Sequence, residues 1–257
     1  MKKLIYILCI ALAVASCGVS KEGGKASSRK DIIKVGVCHS GAKDLTVDCF
    51  KKSIKDAGGV AVMFPEYTLT EEMADKYIKS VDALLVGGKT AKDTVGRNKY
   101  DRILIKSAIK AGKPVLGICL GHQNINAALG GTTEKNDKNY PESTIKHKFK
   151  DETGYNTGLH TEAHSITIDT TSKLYQLLGS EKVMVNTSHN FSAYKIGTGL
   201  KVVARADDGI VEAIEGEHIM GVQFHPEYMY GAHDIQKFLA IFKNLVDDAR
   251  EVKNAKK

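Results

Sequence analysis

Cys119, His225 and Glu227 have the side-chain chemistry of acyl transfer. Cys119 lies in GKPVLGICLGHQ, residues 112–123, between an apolar run at 114–118 and a helix-like stretch reaching 129. That order predicts strand, sharp turn, helix, with the thiol at the turn. A nucleophile there stands clear of the sheet edge, and the next backbone N–H, that of Leu120, is free to hold an oxyanion. A free thiol ionises only near about pH 8.5, so it needs a base and a helix N-terminus to act as thiolate at pH 7. His225 and Glu227 close the string GVQFHPE, residues 221–227, after a strand-like run at 219–224. The histidine can take the thiol proton and later return one to a leaving amine. Pro226 stiffens the turn, and Glu227 can hold one ring nitrogen protonated so that the other faces sulfur. A cysteine of this kind also packs as a small core residue. Gly117 and Gly121, which make room for a tight turn, argue for the nucleophile.

A second oxyanion donor is expected from Gly87-Gly88, which ends another apolar run, with Gly88 favoured over Gly87. Ligands of open α/β sheets bind at the carboxyl ends of strands, where this pair would sit. An ordinary strand-ending turn would look the same. Gln123, one helical turn past the thiol, is placed to hydrogen-bond a bound acyl group, whereas His122 points away to packing or solvent.

The elements that must position these residues are legible as apolar runs and periods. Strands are expected at 32–37, 60–64, 82–86 and 114–118. Helices are expected at 44–57, 69–80 and 99–111, the second opening on Thr70, Glu71 and Glu72. Such alternation argues for βαβ units, an α/β fold with a mostly parallel central sheet and helices on both faces. The second half is strand-rich, with strands at 165–168, 182–186, 200–206, 210–214 and 219–224, a short helix at 171–178 and a closing helix at 232–246. Residues 132–161 are polar, without period, and too long for a simple connector; they read as a lid, a pocket wall or an insertion.

Together the elbow and the His-Pro-Glu string resemble the class I glutamine amidotransferase-like superfamily, whose elbow reads G-x-C-x-G-x-Q. Within it, VNTSHN at 185–190 and DGIVEAIE at 208–215 resemble the γ-glutamyl hydrolases of the peptidase C26 group, including the γ-glutamyl-γ-aminobutyrate hydrolases. The resemblance runs from about 32 to about 245. It implies that Gln123 lines a glutamyl pocket and that Asn186, Ser188 and His189 receive the glutamate backbone end. It also supports the glycine pair as oxyanion donors. Three positions depart from the group: Leu120 replaces a basic residue, His189-Asn190-Phe191 replaces His-His-Gln, and Lys89-Thr90-Ala91 replaces an aspartate-rich run. These bear on the leaving group and the α-carboxylate.

At the amino end, Lys2 and Lys3 precede an apolar run at 4–14 and then Ala15-Ser16-Cys17-Gly18. This is a charged, apolar and small-residue order with a lipobox-like cysteine, expected as a signal peptide, 1–17, with Cys17 lipidated. The alternative is an ordinary secretory signal. Residues 18–30 read as a Gly/Ser/Lys tether, 31–249 as one domain and 250–257 as a basic tail. The net charge of +7 concentrates outside 31–245, so no nucleic-acid partner is indicated. Of five cysteines, Cys38 and Cys49 can pair or remain buried thiols, and no Cys/His cluster has zinc spacing. His39, His147 and His233 read as surface or internally satisfied residues.

The expectation is therefore an exported, lipid-anchored cysteine hydrolase of small γ-glutamyl compounds with no metal or organic cofactor; its oligomeric state is not legible. Three rivals stand beside it. One is an amidotransferase glutaminase feeding ammonia to a partner synthase, which the elbow favours and the signal peptide opposes. The others are a non-catalytic binding lipoprotein and a peptidase with a wider cleft.

Overall fold

A computed structural model describes residues 32–39, 45–65, 70–88, 94–139, 143–153 and 156–256. The expected signal peptide, Cys17, the tether and Lys89-Thr90-Ala91 lie outside them. Residues Asp31–Lys257 form one compact unit.

The chain runs β1 (Ile33–Cys38), α1 (Leu45–Asp56), β2 (Gly59–Met63), α2 (Glu71–Lys79), β3 (Ala83–Val86), α3 (Thr94–Lys110), β4 (Val115–Ile118) and α4 (Leu120–Ala128). It continues through β5 (Thr133–Lys135), α5 (Asn136–Asn139), β6 (His164–Ile168), α6 (Lys173–Leu178), β7 (Lys182–Val185), β8 (Phe191–Ala193), β9 (Lys201–Ala206), β10 (Val211–Gly216), β11 (Ile219–Val222) and α7 (Leu239–Ala255). Nine strands form one sheet in the order β2-β1-β3-β4-β11-β10-β9-β6-β7. The first five run parallel and the rest antiparallel.

Strands β3 and β4 are buried along their whole length, as parallel strands covered on both faces must be. Alternate side chains feed two cores. Ala83 and Leu85 pack with Phe50 of α1 and Phe242 and Leu245 of α7; Leu84 and Val86 pack with Ile78 of α2 and Leu104 of α3. Helix α2 is capped as its residues suggest, with Thr70 Oγ1 accepting from the Met73 N–H at 3.2 Å.

Three expectations need correction. Helix α7 begins at Leu239, after a π-helical turn at Tyr228–Ala232 and Asp234 at φ 55° have broken the path expected from 232. It also runs to Ala255, so the expected tail is mostly helix. Lys253 pairs with Asp82 at 3.2 Å, and Lys256 donates to the Ala111 carbonyl at 3.0 Å. Finally, the segment without period contributes β5, which pairs with β8 in a small antiparallel sheet.

Candidate active site

The carboxyl ends of β3, β4 and β11 bring Gly88, Cys119 and His225 to one rim of the sheet. Cys119 joins β4 to α4 with φ 53° and ψ −103°, a strained conformation for a side chain with a Cβ. Its N–H donates to the Val222 carbonyl at 2.8 Å, tying the elbow to the strand that leads to His225. The turn is possible because a Cβ on Gly121 would lie 1.9 Å from the Val86 carbonyl oxygen, and one on Gly117 2.5 Å from Ile125 Cδ1. Strand, helix and the neighbouring β3 meet where only hydrogen fits.

His225 Nδ1 lies 2.8 Å from Glu227 Oε1, and both side chains are buried. Burial works against a charged ring. The Glu227 carboxylate and then the Cys119 sulfur outweigh it and lift His225 to about 10. A charged imidazole beside the sulfur is the partner that a thiolate requires.

The two glycines part company. The Gly87 N–H donates to the Cys38 carbonyl at 2.9 Å, one ladder bond beyond β3. It therefore cannot serve an oxyanion, contrary to the sequence expectation. The Gly87 carbonyl accepts from Arg97 Nη2 at 3.3 Å. Across a planar trans peptide, the Gly88 N–H points the opposite way. A Cβ on Gly88 would sit 2.9 Å from His225 Cε1 and 3.8 Å from Cys119 Cβ, so Gly88 borders the gap between them. His39 Nδ1, 3.0 Å from the Gly88 carbonyl, holds the other side of the residue. Neither the Gly88 nor the Leu120 N–H makes a hydrogen bond among the described residues.

Arg97 is itself fixed. Its Nε donates to Asp101 Oδ1 at 2.5 Å, its Nη2 reaches the Cys38 carbonyl at 3.0 Å, and Asn124 of α4 donates to Asp101 Oδ2 at 2.9 Å. Cys38 Sγ donates to Asp101 Oδ1 at 3.1 Å, and burial, then Asp101, pushes this thiol well above its ordinary range. Cys38 and Cys49 are both buried thiols with no disulfide between them.

Cys119 and His225 open on a cavity of about 750 Å³. Gln123 and Ser188 line it, as expected, with Lys148, Lys150 and Arg102. The Gln123 amide donates to the Phe191 carbonyl at 2.7 Å and to Gln223 Oε1 at 3.0 Å, which fixes the side chain at the cavity wall. Ser188 accepts from Asn156.

Asn186 is not a pocket residue. It is buried, its amide donates to the Leu159 and His225 carbonyls at 2.9 and 3.0 Å, and its oxygen accepts from the His225 N–H at 2.9 Å. It clamps the backbone of the histidine instead of touching a substrate. His189 reaches the cavity wall, but its ring turns inward against His147 and Phe191. His147, expected at the surface or internally satisfied, is buried in that group with a partner at each ring nitrogen. His122 lies buried beside Gln223, and burial drives it down to about 4.

The sequence reading missed His39, Arg97, Lys148 and Lys150. His39 follows β1 at the rim where ligands bind, a signal that topology could have supplied. The two lysines sit in the segment without period, where nothing marked their direction.

The chain has relatives. It is 27% identical over 212 residues to protein NtpR of Enterococcus hirae, covering 75% of this chain and 85% of that one. It is 23% identical over 208 residues to the gamma-glutamyl-gamma-aminobutyrate hydrolase PuuD of Escherichia coli, covering 74% and 81%. A glutamine amidotransferase structure from Thermotoga maritima matches with a TM-score of 0.57 at 14% identity, over 86% of this chain and 98% of that one. The peptidase C26 family model spans residues 28–227, and the chain belongs to that family, among the glutamine amidotransferase-like proteins.

Proposed function

We propose that the protein is a cysteine hydrolase that cleaves the γ-glutamyl amide bond of a small γ-glutamyl compound. Cys119 sulfur attacks the δ-carbonyl carbon, and the Gly88 and Leu120 N–H groups receive the oxyanion. As the C–N bond breaks, His225 gives its proton to the departing amine. Water, deprotonated by His225, then opens the thioester, and glutamate leaves with the thiol restored. Glu227 orients the imidazole and balances its charge. Lys148, Lys150 and Arg102 give the cavity the cations that substrate carboxylates need.

The observation that carries this reading is the Gly88 peptide. Arg97 and His39 hold it on both sides beside a strained cysteine, so its donor is in place without a partner. A second reading, a glutaminase serving a synthase, is favoured by the apolar Leu120 in the elbow. The relatives include both kinds, amidotransferase-like proteins and a hydrolase.

Cys119→Ala should lower kcat on a γ-glutamyl amide by about 10⁴-fold or more, His225→Ala nearly as much and Glu227→Gln less, because the set acts as a unit. Circular dichroism should show the Cys119→Ala fold intact. Activity retained by that variant would remove the cysteine mechanism.

We further propose export and lipid anchoring through Cys17, supported by the order of residues 1–18. Fatty-acid labelling should mark the full chain and not Cys17→Ser. Labelling of the variant would refute the anchor.

A further inference from the structure

Behind the cavity wall, three imidazoles and a carboxylate converge. His147 comes from the irregular segment before β6, His164 opens β6, His189 precedes β8 and Glu212 lies in β10. All four are buried, and one nitrogen or oxygen from each lies within 4.8 Å of those of the other three. His147 Nδ1 and His189 Nε2 are 3.1 Å apart. Glu212 Oε1 is 3.3 Å from His189 Nε2, 3.5 Å from His147 Nδ1 and 3.7 Å from His164 Nε2.

The outer ring nitrogens decide where the protons are. His147 Nε2 faces Asp208 Oδ2 at 2.9 Å, His164 Nδ1 the Ser165 carbonyl at 3.2 Å and His189 Nδ1 the Phe191 carbonyl at 3.2 Å, with the Asn136 amide at 3.3 Å. A carboxylate and a carbonyl can only accept, so the outer nitrogens of His147 and His164 carry the hydrogens and their inner ones present lone pairs; His189 takes the same tautomer once the Asn136 amide turns its otherwise unpaired oxygen to Nδ1. This is the outer-shell pattern of metal-bound histidines. Three lone pairs and a carboxylate then face each other with no hydrogen between them. Both Glu212 oxygens and His164 Nε2 are buried without a hydrogen-bond partner. Unpaired polar groups packed this way repel and are costly unless a cation lies among them.

We propose that His147, His164, His189 and Glu212 bind one divalent transition-metal ion, zinc by the chemistry of the donors, in a closed tetrahedral site. Zinc takes nitrogen and oxygen ligands at about 2.0–2.1 Å, which sets tetrahedral ligand–ligand edges near about 3.3 Å. The four separations above bracket that edge. The charges of Glu212 and Asp208 balance a dication, so the buried site is neutral. Four protein ligands leave no open position, and the ion is structural, separate from the cysteine chemistry. It pins the irregular segment that carries Lys148 and Lys150 to β6 and β10. Through His189 it also stiffens the wall that holds Gln123.

The test uses the full chain, loaded with zinc and dialysed against metal-free buffer. Elemental analysis should find about one zinc per chain, as a four-ligand site requires. Cobalt replacing zinc should give the intense visible bands of a tetrahedral ion, and chelation should lower Tm. His164→Ala and Glu212→Gln should weaken cobalt binding by well over about 10-fold, and Asp208→Asn by about 10–100-fold. Cys119→Ala should bind as the parent does. The cobalt spectrum of the parent chain does not depend on any variant folding. A parent chain that takes up neither ion, with a Tm indifferent to zinc and chelator, overturns the proposal and leaves the cluster sharing a proton. Metal lost with Cys119→Ala but kept with Glu212→Gln overturns it too.

Discussion

Gly88 is the residue at which shape and chemistry meet most closely. Its missing side chain is what lets His225 and Cys119 share the gap in front of its N–H. Gly88→Ala should lower kcat by about 10²-fold, because the methyl would push the His225 ring out of line with the sulfur, with little change in Tm, since a side chain can yield where a backbone cannot. His225 makes a second prediction. With its proton held up to about pH 10, the ring can protonate a leaving amine across the neutral and mildly alkaline range. Then kcat/KM should fall as pH rises through about 10. The sign for stability is the same: a raised folded pKa gives stabilisation that is full below the unfolded value, about 6.5, and is lost as pH rises through the folded one. A pH profile on a γ-glutamyl amide, read beside Tm at each pH, checks both. Cys119, His225, Glu227, Gly88, Leu120 and Gln123 were legible because each sits beside a strand end or turn that the sequence marks. Asn186 was misplaced because its residue type suits a pocket and a backbone clamp equally, and only the fold shows which.

The elbow between β4 and α4 works because two glycines let three elements touch. Gly121→Ala would drive a methyl into the Val86 carbonyl, a backbone atom of a buried strand. We expect a loss of about 3 kcal/mol or more, the upper end for overpacking, together with loss of activity, measured by denaturant unfolding. Helix α3 shows why some elements were only partly readable. Its expected start was 99, yet it begins at Thr94 and buries Arg97 against Asp101 one turn on. An apolar period cannot register a buried ion pair. Removing one partner of such a pair is expensive, about 3–5 kcal/mol. Arg97→Met should therefore destabilise the fold, and at temperatures where it remains folded it should also reduce kcat more than it raises KM, because the Gly87 carbonyl loses its anchor. A variant that is less stable but catalytically normal would show that Arg97 serves the core alone.

Across the whole molecule, the parallel half was legible and the antiparallel half only in outline. Strands β3 and β4 are continuous apolar runs because both faces are covered, β1 is interrupted only by the exposed Lys34, and such runs stand out in a sequence. The irregular segment before β6 owes its place to polar contacts made at a distance. His147 reaches His189 and, across the turn into β10, Asp208 and Glu212, which come from two other parts of the chain. No local spacing announces such a group, and the pocket's lysines were hidden with it. The proposed chemistry requires that the assembled site act alone. The direct measurement is glutamate release by the purified chain from a panel of glutamine, γ-glutamyl-aminobutyrate and polyglutamate, followed by mass mapping after an electrophilic glutamine analogue. Turnover of at least one γ-glutamyl amide is expected at about 1 per second or more, an ordinary enzyme rate, with Cys119 alkylated and Cys38 and Cys49 untouched. A chain inert across the panel, with Cys119 resistant to the analogue, would contradict that chemistry.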